Sequence, residues 1–261
     1  MISVDIAKRL RNSVCAVGYL TIPMEQHRQN PTNPDFYIIG TGFLVSETTV
    51  LTNRHVLEAM YRAEDNLDIP KEQFLVSFVY PRTGEEPNWQ LCYMTVGLSI
   101  IPERENVPDI GFIKFSPEKT TDDYKKQCKP VVFDDLQSVN IGDPVAMWGY
   151  PDGTALLLPS FKYDPREKLV RVGPVLQQGF ISGGTPFEVE PGTHEFLLDI
   201  RTFDGMSGSP VFNPATGKVI GVHYKGNKST TSAAFALSNR DIDFWLTELD
   251  KIGAATLTHD A

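Results

Sequence analysis

The sequence predicts an all-β protein whose strands form two sets, followed by one helix. Short apolar runs alternate with Gly, Pro, Asn and Asp at frequent intervals, which is typical of β-sandwiches and β-barrels. A polar stretch at 116–126 separates the two sets. A chain of 261 residues is long for an average domain but ordinary for an all-β one. We therefore expect one domain over 1–261, with a first β-lobe at 12–120, a second at 128–238 and a closing helix at 239–251.

Each element is predicted from its local pattern. The first set of strands is expected at Val14–Thr21, Tyr37–Val45, Thr49–Thr52, Phe74–Tyr80, Trp89–Ser99 and Ile110–Phe115. The second set is expected at Pro130–Phe133, Pro144–Trp148, Leu169–Ile181, Glu195–Leu198, Pro210–Phe212, Val219–Tyr224 and Ser232–Leu237. A short amphipathic helix is predicted at 3–11. In the closing helix, apolar residues recur at helical spacing from Ile242 to Leu249, and Asn239 or Asp241 can cap it.

Composition narrows the range of partners and cofactors. The formal net charge is −9 and the pI is about 5.1, so we expect no nucleic-acid partner and no membrane partner. The N-terminus lacks the pattern of a signal peptide, which favours a cytoplasmic location; the alternative is a targeting segment that has been removed. Cys15, Cys92 and Cys128 form no CxxC pair, which predicts reduced thiols rather than a zinc site. The alternative is a disulfide between two of these cysteines. No cofactor or metal is expected.

A Gly/Ser turn at 204–212 has the residues that an acyl-transfer nucleophile needs. It contains Gly205-Met206-Ser207-Gly208-Ser209-Pro210. Such a nucleophile requires a hydroxyl on a tight turn, with backbone N–H groups directed at the developing oxyanion. Gly205 permits the necessary backbone conformation, and the N–H groups of Gly205 and Ser207 would form the oxyanion hole. The alternative is a plain Gly/Ser turn between two strands.

A candidate base and its partner lie upstream of Ser207. His55 directly follows an apolar strand, and its ordinary pKa near neutrality suits a general base. Asp109 stands at the start of another apolar strand, where its carboxylate could orient the imidazole. The order His, Asp, Ser is that of chymotrypsin, and differs from the order in subtilisin and α/β-hydrolases. Each residue on its own has an alternative reading. His55 could be a solvated loop histidine, and Asp109 could bind the amides of a turn.

Several blocks of the sequence resemble the trypsin-like (chymotrypsin-fold) serine peptidases, in particular the bacterial glutamyl endopeptidases and the high-temperature-requirement branch. The blocks that carry the resemblance are 42–45, 51–56, 109–114, 148–151, 205–213 and 219–224. The resemblance implies two perpendicular six-stranded β-barrels with a C-terminal α-helix and a site between the barrels. It also implies a bacterial source and peptide-bond hydrolysis through an acyl-enzyme on Ser207. Met206 stands where relatives activated by zymogen cleavage have an Asp, so that activation route is not expected here.

The resemblance also implies a specificity pocket. In this family, the residue before the scissile bond (P1) is selected by the segment before the nucleophile turn and by the strand after that turn. In this chain, these two segments contain the candidate substrate-binding residues Arg201, Thr202, His223, Tyr224 and Lys225. Thr202 and His223 match residues that hold an acidic P1 side chain in glutamyl endopeptidases. A hydroxyl and an imidazole can donate to a carboxylate, and Arg201 or Lys225 could add charge. The alternatives are a His223 satisfied within its strand and an Arg201 that points to solvent.

The function predicted from sequence is that of a serine endopeptidase with a protein or peptide substrate, and with a preference for acidic P1 residues. The alternatives are a catalytically silent peptide-binding module on the same fold and an esterase-like hydrolase. A regulatory protein partner is a further expectation. The charged segment 152–170 would then hold the enzyme inactive until that partner binds.

Overall fold

The computed structural model of the chain describes most of the sequence in eleven segments. These are residues 2–29, 35–81, 89–102, 108–116, 120–137, 139–151, 156–157, 170–171, 173–185, 195–226 and 231–257. The helices are α1 (Val4–Ser13), α2 (Met24–Gln29), α3 (Arg54–Leu67), α4 (Asp122–Gln127) and α5 (Asn239–Leu257). Among these residues, none of the helices has both the length and the hydropathy required to cross a bilayer.

The first β-lobe is an antiparallel barrel that closes through one interrupted strand. Its strands are β1 (Val14–Leu20), β2 (Phe36–Leu44), β3 (Thr49–Thr52), β4 (Phe74–Pro81), β5 (Trp89–Thr95), β6 (Leu98–Ile100) and β7 (Gly111–Lys114), in the order β5-β4-β1-β2-β3-β7-β6. The two edges, β5 and β6, are halves of a single stretch broken at Val96-Gly97. The N–H of Val96 bonds to Phe74 in β4, and the N–H of Gly97 bonds to Lys114 in β7. The first barrel therefore has seven short strands where six were predicted.

The second β-lobe is a closed six-stranded barrel. Its strands are β8 (Pro144–Gly149), β11 (Val175–Thr185), β12 (Glu195–Leu198), β13 (Pro210–Phe212), β14 (Val219–Gly226) and β15 (Ser232–Ala236), in the order β11-β12-β15-β14-β13-β8. The pair β9 (Leu156–Leu157) and β10 (Val170–Arg171) forms a separate ribbon. The predicted strand at 169–181 is thus two strands. The predicted all-β fold with a C-terminal helix is confirmed, while the predicted domain limits stay a prediction.

One apolar cluster contains residues of both lobes and of α5, while each lobe also has a buried cluster of its own. Phe43 of the first barrel packs on Phe133, with ring centroids 6.1 Å apart. From α5, Trp245 lies 6.3 Å from Phe112 of β7. Ile242 and Leu249 of α5 are buried in the same core, and each contributes about 1.5–3 kcal/mol by leaving water. The helix therefore fixes the second barrel against the first, which in turn fixes the cleft between them.

All three cysteines are free thiols, so the disulfide that the sequence allowed as an alternative does not form. Cys15 of β1 pairs with Phe78 of β4, which pairs with Cys92 of β5. Burial raises the pKa of Cys15, Cys92 and Cys128, which keeps these thiols protonated and unreactive near neutral pH.

Candidate active site

His55 lies in the first turn of α3. Helix α3 follows β3 after the single residue Asn53, which is its N-cap. Its apolar residues Val56, Leu57 and Met60 are buried against the first barrel, so the position of His55 is fixed by packing. Gly111 of β7 makes this packing close, because a Cβ at that position would lie 2.6 Å from Cδ1 of Leu57. No helix was predicted at this site, although the apolar spacing of α3 is helical.

Asp109 holds His55 by two hydrogen bonds. Its Oδ2 lies 2.5 Å from Nδ1 of the His55 ring, and its Oδ1 accepts from the His55 backbone N–H at 3.0 Å. The second bond satisfies one of the free N–H groups that every helix N-terminus leaves. Asn53 caps nothing with its side chain; its amide instead donates to the Asp109 carbonyl at 2.7 Å. The backbone and the side chain of Asp109 are therefore both tied to the start of α3.

The Asp109 carboxyl is poised to stay ionised. Burial by itself raises the pKa of this carboxyl. The hydrogen bonds from the ring and backbone of His55 and the nearby charge of Arg54 lower the pKa by more than burial raises it. The net result is a pKa below the ordinary value for aspartate. An ionised Asp109 accepting from Nδ1–H leaves Nε2 of His55 as the free ring nitrogen, which is the nitrogen that a general base needs.

Ser207 lies in a turn that both barrels hold. Gly205 and Gly208 have φ values of 88°, a region that favours glycine. From the first barrel, Thr41 donates its N–H to the Ser207 carbonyl at 2.7 Å and its hydroxyl to the Gly205 carbonyl at 2.8 Å. From the second barrel, the His223 carbonyl accepts from the Gly208 N–H at 2.8 Å. The turn conformation is thus local in origin and is locked by contacts from both sides.

Gly40 brings the Ser207 turn close to α3. A Cβ on Gly40 would lie 2.7 Å from Cγ2 of Val56, the neighbour of His55, and 3.1 Å from the Ser207 carbonyl oxygen. The chain segments that carry the base and the hydroxyl are therefore packed on the same glycine. Among the described residues no hydrogen bond joins the Ser207 hydroxyl to the His55 ring, a contact that often tightens only when substrate binds.

The backbone around Ser207 leaves two donors free. Within the segments given above, neither the N–H of Gly205 nor that of Ser207 donates to another group. Backbone N–H groups are strong hydrogen-bond donors, so two free ones in a cleft are ready to bind an acceptor. Their place on either side of Met206 in the turn is compatible with the predicted oxyanion hole.

Two of the five predicted pocket residues meet in the second barrel. Thr202 and His223 are only 3% and 2% exposed. In the part of the chain that is described, Oγ1 of Thr202 and Nε2 of His223 are buried without a hydrogen-bond partner. Both face Gly226 at the end of β14. A Cβ there would overlap Oγ1 of Thr202 and would lie 3.9 Å from Nε2 of His223. The glycine therefore leaves a small space lined by two unsatisfied polar atoms.

The other three predicted pocket residues lie outside this space. The Arg201 guanidinium is exposed and lies 5.2 Å from the centre of the Phe203 ring. Tyr224 stacks on Phe235 with ring centroids 4.0 Å apart, and burial, together with Glu195 and Asp109, raises its pKa to about 12. Lys225 is exposed. The structure thus gives no support to a cationic pocket.

Two features of the site were not anticipated as functional from the sequence. Thr41 ties the Ser207 turn to the first barrel, and its hydroxyl also accepts from the Tyr150 N–H at 3.0 Å. Asn53 ties Asp109 to α3. Asn53 belongs to a block that carries the family resemblance and Thr41 directly precedes another, but only the contacts reveal what they do. The segment 152–170, predicted to regulate activity, lies mostly outside the described residues. Within those residues no group of three or more His, Cys, Asp or Glu side chains is placed to hold a metal ion.

Relatives of known function are similar to this chain over most of its length. Glutamyl endopeptidase of Staphylococcus epidermidis is 27% identical over 222 residues, which is 83% of this chain and 62% of that protein. Glutamyl endopeptidase of Staphylococcus aureus (strain MW2) is 21% identical over 219 residues, which is 84% of this chain and 56% of that protein. The chain thus spans less than two thirds of the length of these curated relatives.

Solved structures share the fold. Mouse neuropsin, a serine protease, aligns with a TM-score of 0.53 at 16% identity, over 94% of this chain and 96% of its own. The active form of the protease Rv3671c from M. tuberculosis aligns with a TM-score of 0.51 at 18% identity, over 93% of this chain and 82% of its own. The sequence profile of the trypsin-like peptidase domain matches residues 40–222. That range includes His55, Asp109 and Ser207 and covers well over half of the sequence, so this chain belongs to the trypsin-like peptidase family.

Proposed function

We propose that this chain is a serine endopeptidase that cleaves peptide bonds after acidic residues. In this proposal Ser207 is the nucleophile, His55 the general base and Asp109 the residue that orients the base. The single observation that carries the acidic preference is the pair of buried polar atoms without partners, Oγ1 of Thr202 and Nε2 of His223, beside Gly226.

The chemistry follows from the arrangement of the site. Nε2 of His55 takes the proton of the Ser207 hydroxyl as its oxygen attacks the scissile carbonyl. The Asp109 carboxylate stabilises the imidazolium that forms, and its lowered pKa keeps it ionised for this role. The free N–H groups of Gly205 and Ser207 would receive the oxyanion, an interaction worth about 3–4 kcal/mol per donor in a serine hydrolase of another fold. His55 then protonates the leaving amine, and water releases the acyl group in a second half-reaction.

A carboxylate is the group that the Thr202–His223 pocket lacks. A buried donor without a partner costs about 1–3 kcal/mol of folding free energy, so its persistence favours a role in binding. The hydroxyl of Thr202 can donate one bond to a carboxylate, and the His223 ring can donate another. An apolar P1 side chain would leave both groups unsatisfied, which is how buried polar sites reject the wrong ligand.

His223 must gain a proton to play this part. Burial lowers its pKa to about 4, although the neighbouring carbonyls of Met206 and Lys225 oppose the shift, and nearby His55 lowers it further. Nδ1 of His223 lies 3.1 Å from the Met206 carbonyl, which can only accept, so Nδ1 carries the single proton of the neutral ring. Nε2 is then bare and cannot donate. An acidic side chain would therefore bind together with a proton, because its charge favours the imidazolium.

Active-site labelling followed by a peptide library tests the proposal. A fluorophosphonate probe should label the wild-type protein and fail to label Ser207→Ala. The matched control is Ser209→Ala, which removes a neighbouring buried hydroxyl and should keep the labelling. A library of peptides that differ at P1 should then show cleavage after Glu or Asp.

Each alternative has its own result. Peptide binding without labelling would identify a silent binding module. Ser207-dependent ester hydrolysis without peptide cleavage would identify an esterase-like enzyme. Equal cleavage after Glu, Gln and Lys would refute the acidic preference while leaving the peptidase proposal standing. The cytoplasmic location and the regulatory partner stay predictions.

A further inference from the structure

Thr41 uses all of its polar atoms at the junction of the two barrels. It lies in β2 and is fully buried. Its N–H and its hydroxyl donate to the carbonyls of Ser207 and Gly205, at 2.7 and 2.8 Å. Its hydroxyl accepts from the Tyr150 N–H at 3.0 Å, and its carbonyl accepts from the Thr52 hydroxyl at 2.7 Å. One residue of the first barrel therefore holds the nucleophile turn and the end of β8 together.

The Tyr150 N–H fixes the direction in which the Thr41 hydroxyl donates. A threonine hydroxyl carries one proton, which rotates to suit whichever acceptor is present. Because the Tyr150 N–H occupies a lone pair of this oxygen, the hydroxyl proton is directed away from Tyr150 and toward the Gly205 carbonyl. The Thr41 hydroxyl is thus an oriented donor whose acceptor is a backbone group of the nucleophile turn.

Gly205 needs such a contact because its own chemistry leaves its conformation undecided. Glycine adopts positive and negative φ about equally well, and Gly205 has a φ of 88°. The peptide between Gly205 and Met206 is held by two hydrogen bonds. Its N–H donates to the Phe203 carbonyl at 3.2 Å, within the turn, and its carbonyl accepts from Thr41 at 2.8 Å. The Met206 side chain is apolar and fully buried in the second barrel, so the bond from Thr41 is the shorter of the two and comes from the other barrel.

We propose that Thr41 is a positioning residue for the oxyanion hole, whose hydroxyl holds the Gly205–Met206 peptide so that the Gly205 N–H stays directed at the substrate oxyanion. The inference rests on the proposed peptidase function. Thr41 is buried, so it acts through Gly205 and not on the substrate itself. A donor that is in place before the reaction needs no reorganisation as charge develops, and this preorganisation is what stabilises the transition state.

Loss of the Thr41 hydroxyl should slow the chemistry without weakening substrate binding. The oxyanion forms only on the way to the acyl-enzyme, so a displaced donor lowers kcat and leaves KM nearly unchanged. Removing an oxyanion donor altogether lowers kcat about 10²–10³-fold. Thr41→Val keeps the shape of the side chain and displaces the donor without removing it, so we expect kcat to fall by about ten- to hundredfold.

Steady-state kinetics with a peptide nitroanilide that has glutamate at P1 measure kcat and KM separately. Thr41→Ser keeps the hydroxyl and should keep most of the wild-type kcat. Thr41→Cys offers a weaker donor, so its kcat should lie between those of Thr41→Ser and Thr41→Val. The matched control is Ser13→Ala, because the buried Ser13 hydroxyl also donates to a carbonyl distant in sequence, that of Lys129, and makes no bond to the nucleophile turn. This control should lose stability and keep the wild-type kcat.

A peptidyl trifluoromethyl ketone reports on the oxyanion hole directly. The Ser207 oxygen adds to the ketone carbon, its proton passes to His55, and the former carbonyl oxygen becomes an oxyanion that the hole receives. The pKa of this oxygen follows from the ¹³C NMR shift of the labelled ketone carbon as pH is varied. A directed Gly205 N–H favours the ionised oxygen and lowers its pKa. Thr41→Val should therefore raise this pKa, whereas Thr41→Ser and Ser13→Ala should leave it at the wild-type value.

The outcomes separate this inference from the function on which it rests. A kcat that falls from Thr41→Ser through Thr41→Cys to Thr41→Val, with a steady KM and a raised pKa of the adduct, would support the role of Thr41. If Thr41→Val is too unstable to assay, Thr41→Cys decides by the same two readouts. An unchanged kcat, or an equal loss of kcat in Ser13→Ala, would show that Thr41 is structural alone. A wild-type protein without Ser207-dependent turnover would overturn the proposed function and this inference with it.

Discussion

Replacing Thr202 by Val should make the protein more stable and less active at the same time. Valine has nearly the shape of threonine, so the change removes little more than the hydroxyl. In the described structure that hydroxyl is buried and bonded to nothing, and such a group costs about 1–3 kcal/mol. The variant should therefore gain about 1 kcal/mol in the free energy of unfolding, or about 2–4 °C in Tm for a chain of this size.

The activity of Thr202→Val should fall, although its stability rises. The Thr202 hydroxyl would donate to the substrate carboxylate, and a hydrogen bond to a charged group contributes about 1.5–3 kcal/mol. Its loss should lower kcat/KM for a P1 glutamate about ten- to hundredfold. The rate with a P1 glutamine should change much less, because the hydroxyl bonds to a neutral amide more weakly.

Thermal unfolding and steady-state kinetics on three variants check this reasoning. Thr202→Ser keeps the hydroxyl and should keep most of the activity toward glutamate. Ser77→Ala removes another buried hydroxyl without a partner, in β4 and away from the site, and should raise Tm without changing the kinetics. If Thr202→Val lowered Tm, or left glutamate turnover unchanged, the pocket assigned to Thr202 and His223 would be wrong.

Further predictions concern the base, the pocket and pH. Asp109→Asn should lower kcat by about three to four orders of magnitude, because the amide no longer holds the His55 ring in the working tautomer; single-turnover kinetics measure this, and circular dichroism should show an intact fold. Gly226→Ala should abolish cleavage after glutamate, because its Cβ would overlap Oγ1 of Thr202; continued cleavage would contradict the pocket. Since free His223 has a pKa of about 4 and bound carboxylate raises it, binding takes up a proton. KM for a glutamate substrate should therefore rise with pH between the free pKa of about 4 and the raised pKa of the complex and level off above it, whereas KM for a matched glutamine substrate should show no such rise. Because the pKa of Asp109 is lowered on folding, its contribution to stability is full above its unfolded pKa of about 3.9 and is lost as pH falls through the lower folded value; acid titrations of wild type and Asp109→Asn should differ there.

Much of the fold was predictable because the signals are local. Strand limits such as those of Thr49–Thr52, Glu195–Leu198 and Pro210–Phe212 agree with the sequence pattern, since each is a short apolar run between turn residues. Helix α3 could have been predicted too, because the spacing of its buried residues from Val56 to Ala63 is helical. The sequence pattern at this place predicted only the strand before His55 and no helix after it. The break at Val96-Gly97 was not predictable, because it arises where one strand must pair with both β4 and β7 to close the barrel.

By itself, the sequence determined the residues of the nucleophile turn, where glycine at 205 and 208 is required by a positive φ, and the order of His55, Asp109 and Ser207. Only the tertiary structure decided which of the candidate pocket residues lie next to each other. Along a regular strand, His223 and Lys225 would point to the same face. A register shift between them in the pairing of β14 with β15 breaks that alternation, so His223 is buried and Lys225 is exposed. A bulge depends on how two strands are paired in the barrel, and no local pattern in the sequence specifies it.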